Sequence, residues 1–360
     1  MKKLLVPILL LILSVLAAET FPLPVGEFAP RSYTAFRTVE GIKVDGSLDD
    51  IDWQLALPTE LFTDIEGDLK PAPHLDTWVK MLWDASGLYI GAWLEEPHIW
   101  ASLTERDAVI FYDNDFEVFL DPNGDTHEYY ELEINALGTL WDLFILKPYR
   151  DAHSPLNGWD IKGASFAIGI DGTLNDPSDL DSGWSVEMFL PWPAFEEFAH
   201  VPCPPRDGDY WRLNFSRVQW DTEWLDGNYT KVPGMPERNW VWSPQGLIAM
   251  HYPERWGYLF FSAAPAGSAD PGFSPSASER EKEYLRQIYY LQKQYFMDHG
   301  RWAGKLRQLG VRPYLRDGKK VKPRLETTSA GFDLTLPGKD GSPDWIIRED
   351  GRIWSKPVKK

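Results

Sequence analysis

Two consecutive segments concentrate the side chains with the clearest chemistry: Asp115–Asp121 (DFEVFLD) and Tyr129–Asn135 (YYELEIN), with Asp121-Pro122-Asn123-Gly124-Asp125 between them. In the first, Phe116, Val118 and Leu120 alternate with Asp115, Glu117 and Asp121. In the second, Tyr130, Leu132 and Ile134 alternate with Glu131, Glu133 and Asn135. This is the period of strands with one apolar and one polar face. The Pro and Asn-Gly pair between them supply turn chemistry. Paired, the two strands would present a row of carboxylates and an amide, of which Glu117, Glu133 and Asn135 are the foremost candidates. Such a row can accept hydrogen bonds from sugar hydroxyls, ligate a hard cation, or hold the two carboxyls a glycosidase needs. For hydrolysis the strand glutamates to weigh are Glu117, Glu131, Glu133 and Glu187.

A second constellation lies downstream. Tyr210–Trp220 (YWRLNFSRVQW) reads as a strand with Trp211, Leu213 and Phe215 on a core face and Arg212, Asn214, Ser216 and Trp220 opposite. Arg217 falls on the apolar face, which predicts a strand end or a paired Arg. In Asn239–Pro244 (NWVWSP), Trp240 and Trp242 share one side of an extended segment. Flat aromatic faces cover the C–H patches of a pyranose, and planar polar groups pair with its hydroxyls. Fifteen of the 18 Trp residues precede residue 263, more than a core of that size needs, so some rings are expected to be exposed. Core or loop packing remains the plain alternative for any one of them.

The elements that must position these residues are mostly β. Strand signals recur at Thr77–Asp84, Leu88–Glu95, Thr139–Leu146 and Gly183–Leu190 as well, separated by turn residues, and 20–44 supplies an irregular edge. The expected fold is an antiparallel β-sandwich or jelly roll followed by a small α+β C-terminal module. The boundaries are 1–18 as signal peptide, 19–43 as N-terminal extension, 44–262 as sandwich, 263–278 as linker and 279–360 as the α+β module. In the tail, Tyr284, Ile288, Leu291 and Tyr295 fall at helical spacing. Ser278 and Glu281 form a capping-box pattern, Gly300 a stop, and Asp350-Gly351 a hairpin turn.

The start has the form of an export signal: Lys2 and Lys3, an apolar stretch Leu4–Leu16, then Ala17 and Ala18. The expected location is the periplasm, cell surface or exterior. Cys203 is the only cysteine, which rules out a lipoprotein cleavage site and an internal disulfide and disfavours zinc. The net charge of −18 divides unevenly: residues 1–278 hold 17 basic and 43 acidic side chains, and residues 279–360 hold 19 and 11. The acidic bulk excludes nucleic acid as its partner. The basic tail suits an anionic envelope surface or the acidic part of the same chain. No cofactor is called for. The acidic turns Asp121–Asp125 and Asp176–Asp181 are candidates for structural Ca²⁺, without EF-hand spacing.

Several segments together resemble the carbohydrate-binding module family 9-like domains over residues 44–262. They are VDGSLDDIDW (Val44–Trp53), LWDASGLYIGAWLEE (Leu82–Glu96), the two strands above, GWSVEMFLPW (Gly183–Trp192) and WRLNFSRVQW (Trp211–Trp220). The resemblance implies a sandwich that grips a glycan end between two Trp rings amid Asn, Gln, Glu and Arg side chains, with structural Ca²⁺ in some members. One ring is placed at Trp240 or Trp242, the other at Trp100, ahead of Arg106 and Asp107. The tail from Arg280 to Val311 resembles the soluble part of type IV pilin-like proteins, without their hydrophobic N-terminal helix. The expected function is exported, non-catalytic binding of an oligo- or polysaccharide. The alternatives are an envelope structural or assembly protein working through the tail, and a glycan-active hydrolase.

Overall fold

A computed structural model describes residues 20–151, 155–339 and 342–356. The predicted signal peptide lies outside the described residues. Among the described residues no helix is long and apolar enough to cross a membrane.

The large body is a curled, twelve-stranded mixed sheet. Its early strands are β1 (Ser32–Arg37), β2 (Thr63–Asp64), β3 (Thr77–Trp83), β4 (Gly87–Glu95), β5 (Asp115–Asp121), β6 (Tyr129–Asn135) and β7 (Leu140–Ile145). β8 (Ser165–Asp171), β9 (Gly183–Pro191) and β10 (Tyr210–Gln219) follow. A separate hairpin is made of β11 (Thr222–Leu225) and β12 (Asn228–Lys231), and β13 (Arg238–Val241) and β14 (Gly257–Pro265) complete the body. The spatial order is β7-β6-β5-β10-β14-β1-β3-β4-β9-β8, with β13 beside β10 and β2 beside β13. The sheet folds over so that apolar residues from both halves meet in one core: Val118, Leu132 and Leu213 from one side, Met81, Ile90 and Val186 from the other. This is the expected sandwich, reached by curling.

The expected edge in 20–44 sits in the middle instead. β1 pairs in parallel with β14 through Tyr33↔Leu259 and Ala35↔Phe261, then, across an irregularity, with β3 through Phe36↔Leu82. One strand thereby ties the two halves together. Its partners come from residues 82–83 and 258–265, so nothing local in the sequence marks its place. β10 is shared in a similar way. It pairs with β5 from Arg212 to Val218 on one edge, and with β14 and then β13 on the other.

After β14, the stretch to residue 277 has no regular structure, though Phe273 packs on Phe260 at 5.8 Å. The helix α2 (Ser278–His299), numbered after the short α1 (Ile51–Leu55), lies on a four-stranded antiparallel sheet. Its strands are β17 (Arg324–Thr327), β18 (Phe332–Leu336), β19 (Asp344–Arg348) and β20 (Ile353–Lys356), preceded by the small hairpin β15 (Tyr314–Arg316) and β16 (Lys319–Val321). The buried stripe is Leu285, Ile288, Tyr289 and Gln292, while Leu291 is exposed, so the apolar face is rotated from the predicted one. Gly300 ends the helix with φ 64°, its N–H donating to Phe296 O, as its lack of a Cβ allows. The capping box does not form. Ser278 is already helical, and Glu281 pairs instead with Arg316 Nε at 2.6 Å.

The tail docks on the acidic body. Arg352 bonds Asp125 and Glu128, Tyr290 donates to Glu254 at 2.6 Å, and Lys293 pairs with Asp151. Phe21, Leu247 and Tyr252 share one core with α2 and β18–β20. Of the two surfaces the basic tail suited, the acidic part of its own chain is in contact.

Candidate functional site

The two strands that opened the sequence reading pair antiparallel, Phe116↔Ile134 and Val118↔Leu132 toward the core, Asp115↔Asn135 and Glu117↔Glu133 on the other face. The polar face is not a solvent-exposed floor. The segments around Phe111 and Met250 roof it, together with Trp256, so Asp115, Glu117, Glu131, Glu133 and Asn135 are all buried. A cavity of about 270 Å³ remains beneath the roof, lined by Glu117, Glu131, Glu133, Trp141, Tyr149 and His251 among others. No Lys or Arg is among its described lining residues. Burial raises the pKa of Glu117 to about 7. Burial and mutual repulsion push Asp115, Glu131 and Glu133 well above the ordinary carboxylate range.

Asn135 turns away from this cavity. Its amide donates to Leu103 O and Asp113 Oδ2, and Asp113 in turn accepts from the backbone N–H groups of Ser102 and Leu103. It therefore splints the loop after Trp100.

The downstream candidates are core and scaffold. Trp240 is 2% exposed and Trp242 fully buried, so neither ring can stack on a sugar in this conformation. The cause is register: β13 adds to β10 with Arg217↔Trp240 and Ser216↔Val241, turning the indoles under the sheet. There Trp242 packs on Phe215 at 6.0 Å, and against Gly257, where any Cβ would clash with its ring. Asn214 is spent on Ser243, donating to its carbonyl and accepting from its N–H. Arg217 is the paired, buried Arg the pattern allowed, bound to Glu96, Gln219 and Thr77. Burial lowers its pKa to about 10 despite the Glu96 carboxylate. Trp220 is half-buried, its N–H bonded to Phe111 O and one ring face covered by Lys231 Nζ at 3.5 Å. Arg106 pairs with Asp142, with Asp160 at 3.0 Å and with Asp107 at 3.7 Å, away from the carboxylate cavity. Glu187 accepts from Trp53 Nε1 and from the N–H groups of Asp45 and Gly46, a saturated anchor.

The carboxylates of the acidic turns are engaged too. Asp121 accepts from Gly124 N and Thr126 N, and Asp181 from Thr173 N and Ile99 N.

Trp100, expected to face Trp240 or Trp242, instead shares an aromatic cleft with Trp224, a ring the strand pattern does not single out. Trp100, Ser102, Thr104, Asn175, Trp224 and Asn228 line an open cleft of about 460 Å³, with Tyr229 beside them. Trp224 projects from the β11–β12 hairpin and is 44% exposed, while Trp100 forms the floor at 5%. Tyr229 props Trp224 edge-on at 5.1 Å and is itself held near His98 Nδ1. The opposite wall is fixed by Asn175, whose side chain bonds both the N–H and the C=O of Ala101. The signal for the hairpin was Asp226-Gly227, both at positive φ (53° and 86°) between Leu225 and Asn228, which is two-residue turn chemistry. A second groove of about 500 Å³ runs beside the cross-strand pair Trp78↔Trp93, both half-buried, with Asp45, Ser47 and Asp171 on its walls.

Residues 44–144 match the family described as carbohydrate family 9 binding domain-like. A candidate carbohydrate-binding protein from Bacteroides uniformis is similar at 18% identity, covering 65% of this chain and 100% of its own, with a TM-score of 0.49. A carbohydrate binding module family 9 from Caldicellulosiruptor kristjanssonii, solved with cellotriose, is 14% identical over 68% of this chain and 99% of its own, at a TM-score of 0.41. The same organism's module solved with glucose gives 14%, 68%, 100% and 0.42. A search of curated proteins finds no match.

Proposed function

We propose that this chain is an exported, non-catalytic saccharide-binding protein whose ligand sits in the cleft between Trp100 and Trp224. The observation that carries this reading is the exposed face of Trp224 over a walled cleft of neutral hydroxyl and amide groups. That combination suits the alternating apolar and hydroxyl surfaces of a sugar ring. At about 460 Å³, the cleft falls within the roughly 300–1,000 Å³ of small-molecule sites. The family match over residues 44–144 supports the class of ligand and covers the Trp100 side of the cleft. It ends before the hairpin and before the tail.

The strand glutamates suit hydrolysis poorly. Glu187 has its acceptors filled, and Glu117 and Glu133 lie under a roof rather than beside the cleft. Three of the tail's basic side chains, Arg286, Lys293 and Arg352, reach its own body at Gly124 O, Asp151 and Asp125 with Glu128, which favours a bracing role over an envelope-docking one. The test is titration of the purified mature protein with a saccharide panel, including glucose and cellotriose, followed by Trp fluorescence and calorimetry. Saturable binding to at least one saccharide is expected. A folded protein that responds to none would overturn the proposal.

A further inference from the structure

We propose that Asp115, Glu117 and Glu133 bind a hard divalent cation of the Ca²⁺ class on the inner face of the sheet. One oxygen from each lies within 4.8 Å of the other two. Calcium–oxygen distances of about 2.3–2.6 Å let a single ion reach oxygens up to about 5 Å apart, so all three can meet at one Ca²⁺. Carboxylate oxygens without nitrogen or sulfur partners select hard cations.

Three further observations point to an ion rather than to a merely acidic surface. First, Glu117 and Glu133 stand directly opposite in neighbouring strands, an arrangement that repels unless something lies between the charges. Second, Glu131 Oε2 is buried, shares the cavity with both, and has no hydrogen-bond partner among the described residues; Asp115 Oδ2 is buried and unpartnered in the same way. A fourth carboxylate thus stands beside the three with an oxygen to spare. Third, the described lining holds no Lys or Arg to balance the charge, although elsewhere this chain pairs its buried acids with guanidinium groups, as at Glu96–Arg217 and Glu254–Arg150. Leaving several buried carboxylates without a counter-charge is costly. A divalent ion removes that cost in one step.

The cluster is separate from the saccharide cleft, so the test uses no saccharide. The full mature chain, stripped with a chelator, is titrated with Tb³⁺, whose luminescence the cavity's Trp141 can sensitise, and the signal is competed with CaCl₂ or MgCl₂. Expected are saturable luminescence, displacement by Ca²⁺ at lower concentration than by Mg²⁺, and a melting temperature that rises in CaCl₂. Asp115→Asn, Glu117→Gln and Glu133→Gln, near-isosteric and measured separately so that misfolding of one leaves the others, are each expected to weaken binding by at least about tenfold and to abolish the thermal shift. Two outcomes overturn the assignment: a folded wild-type protein with no saturable cation binding, or folded amide variants that keep wild-type affinity.

Discussion

Replacing Trp224 with Ala separates binding from folding more cleanly than any other change in this chain. An indole side chain presents roughly 250 Å², of which 44% is exposed at Trp224. A sugar can cover one ring face, about half of that exposed area, or about 55 Å². At about 25 cal/mol per Å², the lost contact is worth about 1.4 kcal/mol, a tenfold rise in Kd. The ring lies on a surface hairpin with Tyr229 as its only aromatic neighbour among the described residues, so stability should change by no more than about 0.5 kcal/mol. Trp240→Ala gives the opposite signature. Deleting this buried ring is expected to cost about 3–5 kcal/mol of stability, while the folded fraction binds with unchanged Kd. The assay is calorimetric titration with the tightest saccharide from the panel, paired with urea denaturation of each variant. Wild-type affinity in Trp224→Ala would refute the cleft assignment. It would do so most sharply if Trp93→Ala, in the groove beside Trp78, abolished binding instead.

Other expectations follow from the scaffold. Glu187→Ala strands the Trp53 indole N–H and two backbone N–H groups, and a loss of about 3 kcal/mol or more in urea denaturation is expected. Arg150→Ala leaves Glu254 buried without the guanidinium 2.9 Å away and removes the stack on Tyr252; about 3–5 kcal/mol should be lost, read as faster proteolysis within residues 266–277. Glu279 supplies a pH dependence. Burial alone would raise its pKa, but Lys282, Arg212 and Arg286 outweigh burial and hold it at about 2. Its folded pKa lies below its unfolded one, so its contribution is complete above about pH 4.5 and lost as pH falls toward about 2. The denaturation difference between wild type and Glu279→Gln should therefore be largest near neutrality and shrink through that acid window; a difference that does not change with pH would contradict the assignment.

Much of the sandwich was legible because its strands obey local rules. Asp115–Asp121 and Tyr129–Asn135 form with the boundaries read from alternation, since each places apolar side chains on one face and turn residues close it. β14 is a continuous apolar run, Tyr258–Phe261, buried on both faces, and carries no alternation to read. β1 was misplaced because its position depends on partners more than 200 residues away in the case of β14. The same distinction explains the site. Sequence identifies which side chains share a face, and it grouped Glu117 with Glu133 and Trp240 with Trp242 correctly. It does not say whether a face meets solvent, a roof or a second strand. The roof over the carboxylates comes from segments around residues 103–111 and 250–256, and the cover over Trp240 and Trp242 comes from a register set in β10. Trp224, by contrast, sits two residues before an Asp-Gly turn, in a hairpin tip whose residues 223–228 are all exposed. In a chain this rich in Trp, the informative ring is the one whose local turn keeps it out of the core, and a turn signal is a better guide to exposure than the indole itself.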